Sequence, residues 1–475
     1  MRIAGPMAEY WYSRWLFERA LAAIYLVAFL AAAVQFVPLL GEHGLEPVGR
    51  WAQQVPFRAS PSLFYLFPRD AAFRACAWLG VALAALALSA IPQRMGFWVS
   101  ASVWAALWVL YLSFVNVGQT FYGFGWETLL CEVGFFTIFA GASRMAPNGW
   151  LIWIWRWTLF RLMFGAGLIK LRGDSCWRDL TCLNYYFETQ PMPNALSWYF
   201  HWLPHSVHTA GVVINHVVEV IVPFAYFAPQ PFASIAGIIT ILFQLVLIVS
   251  GNLSWLNWLT LVLCVPLVSD RWLTWLPVHP PAMVSTSPTY QMALYLVAAA
   301  VALLSIGPVM NMLSSRQMMN ASFDPLHLVN TYGAFGSITR ERFEIVLQGT
   351  DEASVTDRTA WRDYEFRGKP GDPARRPPQV APYHLRLDWL MWFEAMTPSP
   401  QSDWFFGLLA KLLQGDAGTL SLLRTNPFPG TPPRYVRALY YRYRFTTPDE
   451  HHASGDWWNR QLVGTFYGPV SLAAR

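Results

Sequence analysis

Between residues 16 and 310 the chain returns repeatedly to apolar stretches of about the length that crosses a bilayer as a helix. That recurrence leaves few folds open. A helix needs about 20 mostly apolar residues to span the hydrocarbon core, and backbone left unpaired in lipid is too costly for irregular structure. The candidate spans are 16–39, 72–90, 97–117, 126–142, 150–171, 207–227, 232–250, 253–268 and 290–310. The fourth and eighth are short, which suits tilted, paired or re-entrant segments. Only 13% of residues are charged and 55% are hydrophobic, whereas soluble domains run near a quarter charged. The 25 Trp and 20 Tyr suit a lipid–water boundary. The first stretch is long enough to remain as an anchor and lacks a small-residue cleavage site, so no cleavable signal peptide is expected.

Charge divides the chain in two. Residues 1–319 hold 16 Arg and Lys against 12 Asp and Glu, while 320–475 hold 17 against 16. The expected architecture is therefore an α-helical polytopic membrane domain of eight or nine spans over 1–319, followed by a soluble α+β domain over 320–475. In the tail, FEIVLQGT, RDYEFRGK and VRALYYRYRFTT alternate like strands, and 385–396 and 403–414 read as helices. Arg2, Arg14 and Arg19 flank the first span, with Arg94, Arg144 and Arg271 in alternate loops on the same side. The positive-inside bias then puts the N-terminus in the cytoplasm. Nine spans place the 172–206 loop and the tail on the trans side, although Arg50, Arg58 and Arg69 run against this bias. A net charge of +5, dispersed along the chain, gives no footprint for nucleic acid.

The stretch from Trp150 to Asn194 carries most of the chemistry. Its first half is a span that nevertheless holds Arg156, Arg161 and Lys170, the last being the only lysine before the tail. Cations in lipid are costly and mark a partner or a function. Arg156 and Lys170 lie near one face and suit snorkelling to opposite interfaces. Arg161 is too deep for that and calls for a buried acid, with Glu219 the first candidate and Glu132 the second. His216 and Glu219 sit three apart on one helix face, as a polar seam or as a proton or ligand site. Cys176 and Cys182 share the loop after this span, and their spacing suits a small disulfide-closed ring in an oxidising compartment. The same loop supplies Trp177, Asp179, Asn184, Tyr185, Tyr186 and Glu188 as candidate partner-binding residues. His201, His205 and His208 have helical ligand spacing, but Pro204 interrupts them and no carboxylate sits at the usual offset, so neither metal nor cofactor is expected. The chain has no GxSxG, HExxH, Walker or GxGxxG motif, which excludes the ordinary soluble hydrolases, kinases and dehydrogenases.

GDSCWRDLTCLNYYFETQPMPNALSWYFHWLP resembles the signature loop of the lipase maturation factor family. YWYSRWLFERALAAIY, YGFGWETLLCEVGF, LVNTYGAFGSITRERFEI and WRDYEFRGKPGDPARRPPQVAPYHLRLDWLMWFEAM resemble further segments of it, in family order. The resemblance implies a multi-pass protein that supports folding and assembly of secreted homodimeric lipases, in the endoplasmic reticulum membrane of eukaryotes. For this short, lysine-poor chain it implies a bacterial inner membrane, with a lipase or another exported protein as client. FRLMFGAGLIKL resembles, more distantly, the vitamin K-dependent gamma-carboxylase and the wider horizontally transferred transmembrane family, in which a lysine serves as base. On that alternative Lys170 would be catalytic, assisted by His216 or Glu219, although this chain has Ile169 where the carboxylase pattern has a second lysine. Without the catalytic role Lys170 is an interfacial anchor. A transporter is a third reading, resting only on the interrupted, polar-bearing spans, and no pseudo-symmetric halves support it.

Overall fold

A computed structural model describes residues 8–472; Arg2, used above for orientation, lies outside them. Among the described residues, six helices are long and apolar enough to cross a membrane. They are α1 (Trp11–Leu40), α2 (Asp70–Leu88), α3 (Phe97–Val117), the segment His205–Phe227, α7 (Phe232–Ser250) and α9 (Pro288–Leu313). The other candidates differ for physical reasons. The central helix α5 (Gly149–Arg172) has 24 residues, enough for a span, but carries four basic side chains. The helices α4 (Gly125–Thr137) and α8 (Leu256–Cys264) have only 13 and 9 residues. Both are too short to cross alone and are largely buried among their neighbours. The chain is thus a polytopic helical membrane protein with a small α+β tail.

The segment His205–Phe227 is not one regular helix. α6 (His205–His216) passes into a π-helical turn at Val217–Ile221 and then a 3-10 stretch at Val222–Phe227, which includes Pro223. A π turn inserts an extra residue into the helical ladder and often marks a functional site. Here it carries Glu219. Across from it, Gly167 on α5 has no Cβ; one added there would come within 2.6 Å of Val220 Cγ2. The glycine is what lets the two segments approach.

In the tail, β1 (Arg342–Thr350), β2 (Arg362–Asp363), β3 (Tyr435–Phe445) and β4 (Trp458–Val470) form an antiparallel sheet in the order β2-β1-β3-β4. The helices α10 (Arg386–Glu394) and α11 (Asp403–Gln414) form near the expected positions. Two expectations need correcting. RDYEFRGK contributes only a two-residue strand: beyond Asp363 its Glu365 bridges Thr425 instead of extending the pairing with β1, and Lys369 turns inward to meet Glu344 at 2.7 Å. The final strand β4 was not anticipated; most of its residues are exposed or half-buried, so its sequence lacks a clean apolar alternation. One continuous cluster of buried apolar side chains runs from the membrane helices into the tail.

Candidate functional site

The buried charges of α5 all find partners, each differently, although Arg161 Nε is left without one. Arg156 does not snorkel. It is fully buried and donates to the Pro266 and Tyr226 carbonyls at 3.1–3.2 Å and to the Tyr10 hydroxyl at 2.9 Å. It therefore ties carbonyls of two neighbouring segments to the central helix. Arg161 pairs with Glu132 of α4, not with Glu219. The Glu132 carboxylate also accepts from Thr158 at 2.8 Å, from the Asn330 backbone and amide at 3.0 Å, and from the Tyr332 hydroxyl at 2.7 Å. Its lone pairs are fully used, the condition under which a buried ion pair is tolerable.

The expected Arg161–Glu219 pair fails on depth. Glu219 meets Lys170, at 2.6 and 2.8 Å from Nζ to its two oxygens. Nine residues separate Lys170 from Arg161, about 13 Å along a helix, beyond what an arginine side chain spans. Asn215 completes the cluster, accepting from Lys170 at 2.9 Å and donating to Glu219 at 3.1 Å. Lys170 lies 5.0 Å from the Trp177 ring centre. It is thus neither a snorkelling anchor nor a free amine: three acceptors take its donors.

The Lys170–Glu219 pair lines a cavity of about 300 Å³. Its other walls come from α5 itself, from the start of α4, from α7 and α8, from the irregular segment 319–337, and from α10 of the tail. They are mainly apolar, through Leu162, Met163, Leu256 and Trp389, with Gln244 and Asn257 as further polar groups. Few convergent polar groups in a largely apolar concavity is the usual constitution of a small-molecule site. Segment 319–337 is held close by Gly165, where an added Cβ would fall 2.6 Å from the Tyr332 carbonyl oxygen. Arg161 and His216 do not line the cavity. His216 instead contacts the Trp177 carbonyl at 2.9 Å and braces the loop.

That loop joins the two halves of the molecule. Cys176 and Cys182 are disulfide-bonded. Asp174 caps the short helix Ser175–Arg178 and pairs with Arg340 of the tail at 2.7 Å. The Arg340 guanidinium holds its carboxyl down at about 2. Glu188 accepts from the Phe445 amide at 2.7 Å, Trp198 and Trp202 donate to the Thr446 carbonyl at 2.9 and 3.0 Å, and Trp392 donates to the Thr189 carbonyl at 3.1 Å. Burial raises the Glu188 carboxyl despite nearby arginines.

Most of the loop's candidate partner-binding residues are therefore committed internally. Trp177 and Tyr186 are buried, and Asn184 contacts both His205 and His208 at 2.9 Å. Tyr185 lies under Arg340, with 4.8 Å from its ring centre to the guanidinium carbon. Asp179 alone of the set is exposed. This corrects the view of the loop as a presented surface: its aromatic residues pack the junction. The second tie between the halves escaped the sequence. Arg386 of α10 meets Glu127 of α4 at 2.7 Å, both fully buried, and its guanidinium lies 3.4 Å from the Tyr122 ring centre. The only signal was an arginine opening a short helix that also carries Asp388 and Glu394.

Comparison with known proteins names the architecture. The family model described as "Lipase maturation factor transmembrane domain" matches residues 12–275, and "Lipase maturation factor C-terminal domain" matches 328–468. The chain belongs to the lipase maturation factor family. Lipase maturation factor 1 of Bos taurus is 43% identical over 97% of this chain and 89% of its own length. That of Homo sapiens is 43% identical over 98% and 88%. Lipase maturation factor 2 of Homo sapiens is 30% identical over 97% and 82%. No solved structure matches. These family relatives lend no support to the carboxylase-like alternative for Lys170.

Proposed function

We propose that this chain is a membrane-embedded maturation factor that brings a secreted lipase, or another exported protein, to its folded and assembled form. The observation that carries this reading is the 43% identity to relatives named Lipase maturation factor 1, spread over nearly the whole chain. The architecture suits the task. A membrane domain anchors the protein, and the tail is clamped to it through the disulfide loop and the Arg386–Glu127 pair. A rigid extramembrane body next to the bilayer can meet a client as it emerges. On this reading the loop and the tail face the trans side, an orientation supported by the disulfide and no longer by nine crossings, since α4 and α8 are too short to cross alone. The tail from residue 320 onward then works as the client-facing unit. The membrane would be the bacterial inner membrane.

The test is a host lacking its own factor, given this chain together with a secreted lipase. Specific activity of the secreted lipase should rise, while an unrelated secreted enzyme stays unchanged. An unchanged lipase, with this chain folded and in the membrane, would overturn the reading.

A further inference from the structure

We propose that a second pocket, at the N-terminal end of α1, is a binding site for a phosphate group. Its volume is about 500 Å³, and it lies between the start of α1, the α2–α3 connection, the turn at Ser143–Arg144 and the loop at Pro277–Pro281. Arg14, Arg19, Arg94 and Arg144 all line it, against one carboxylate, Glu18. The pocket is therefore strongly cationic.

The decisive feature is what sits unpaired at its base. Arg19 is 7% exposed and Gln93 3% exposed. None of the three guanidinium nitrogens of Arg19 has a hydrogen-bond partner, neither amide atom of Gln93 has one, and Glu18 Oε1 beside them is unpaired as well, so an entering anion would be held by the arginines against one carboxylate. Glu18 approaches Arg19 only to 3.8 Å, beyond hydrogen-bond reach. Buried polar groups are nearly always partnered, and a buried charged donor left empty is especially costly. The neighbouring Arg14 obeys the rule, donating to the Ala140 and Ser143 carbonyls at 3.1 and 3.3 Å. Arg19 and Gln93 together offer a planar guanidinium fork and an amide donor, the set that grips a phosphate through several oxygens at once.

Exposed Arg94 and Arg144 stand at the mouth and supply the attraction that draws an anion inward. Trp11 and Trp15 line the same pocket, as befits the level of lipid headgroups. A basic pocket between spans at the membrane boundary fits an anionic phospholipid headgroup. A soluble phosphate carries the same chemistry and reaches the same donors. The site is separate from the Lys170–Glu219 cavity and does not depend on the lipase reading.

The test uses the full-length protein in detergent, stripped of lipid. Its thermal stability is followed on titration with dioleoyl-phosphatidylglycerol, with dioleoyl-phosphatidylcholine, and with inorganic phosphate. Phosphatidylglycerol should stabilise at lower concentration than phosphatidylcholine if the source is lipid, and inorganic phosphate should stabilise if it is soluble. In either case Arg19→Gln should weaken the apparent affinity by about tenfold or more, the loss expected for charge-assisted contacts. The double variant Arg94→Gln/Arg144→Gln, altered only at the exposed mouth, should weaken it as well and guards against misfolding of the first. Indifference of the wild type to both phosphatidylglycerol and phosphate overturns the proposal. Unchanged affinity in both variants does so too.

Discussion

The middle of the central helix and its C-terminal end hold two buried ion pairs with different surroundings. Around Arg161 and Glu132, protein closes on every side, and Thr158, Asn330 and Tyr332 take the remaining lone pairs of the carboxylate. Around Lys170 and Glu219 the wall is incomplete. The pair borders a cavity, and its acid stands on a π turn instead of a regular helix. A fully enclosed pair is part of the scaffold. A pair beside empty space, on a helix defect, is where a membrane protein keeps room for a ligand or a movement.

The largest effect should come from breaking the enclosed pair. Glu132→Ala strands Arg161 in the interior and should cost about 3–5 kcal/mol, seen as loss of folded protein on solubilisation. A double-mutant cycle on thermal stability should give strong coupling between Arg161 and Glu132. Between Arg161 and Glu219 it should give none beyond about 0.5 kcal/mol. Coupling to Glu219 would reverse the assignment of partners.

Acid should act next, on the junction between the halves. His384 is enclosed by Phe124, Trp126, Trp255 and Trp389, and burial drives it down to about 4; His201, beside Phe445, is likewise lowered by burial to about 4. Unfolded, each would charge near 6.5. As pH falls from 6.5 to 4 the unfolded chain takes up protons that the folded chain refuses. Stability is thus complete above that window and is lost across it, by on the order of 3 kcal/mol for a fully expressed shift. Melting temperatures measured between pH 7.5 and 4.5 should fall steeply, and His201→Gln should flatten part of the slope.

A slightly smaller loss should follow removal of the disulfide. Replacing Cys176 and Cys182 with Ser frees a short ring, for roughly 2–3 kcal/mol in the chain-entropy picture. Because the loop bonds the tail through Glu188, Trp198 and Trp202, proteolysis near residues 172–206 should accelerate before the membrane helices yield. Uniform protection would mean the loop does not depend on its ring.

The membrane character was legible because apolar run length is a one-dimensional property, and so was the division of the charges. The partners of Arg161 and Lys170 were not. Choosing between Glu132 and Glu219 requires the relative depth of three helices, and the π turn at Val217–Ile221 breaks the regular count along its own segment. The cavity was illegible for a related reason. Its walls come from α4, α5, α7, α8, the 319–337 segment and α10, which meet only in the folded chain. In the tail, β3 showed itself through dense Tyr and Phe alternation, whereas β4 pairs along nearly all of β3 with most of its side chains exposed or half-buried. Arg386 hid in plain composition; an arginine sharing a short helix with Asp388 and Glu394 reads as surface until Glu127 is seen opposite.

Beside the client-facing tail, we propose the cavity end of the central helix as a working part of the maturation factor, and Lys170→Met tests that most directly. The variant should be measured for folded yield and, in parallel, for its support of a co-expressed secreted lipase. Methionine keeps most of the volume, and the cavity beside Glu219 lets its carboxyl take up water or a proton, so the loss of folded protein should be smaller than for Glu132→Ala and enough folded protein should remain to measure. Secreted lipase activity should nevertheless fall at least tenfold, about 1.4 kcal/mol in the maturation equilibrium. Full lipase activity from a normally folded Lys170→Met protein would contradict the account.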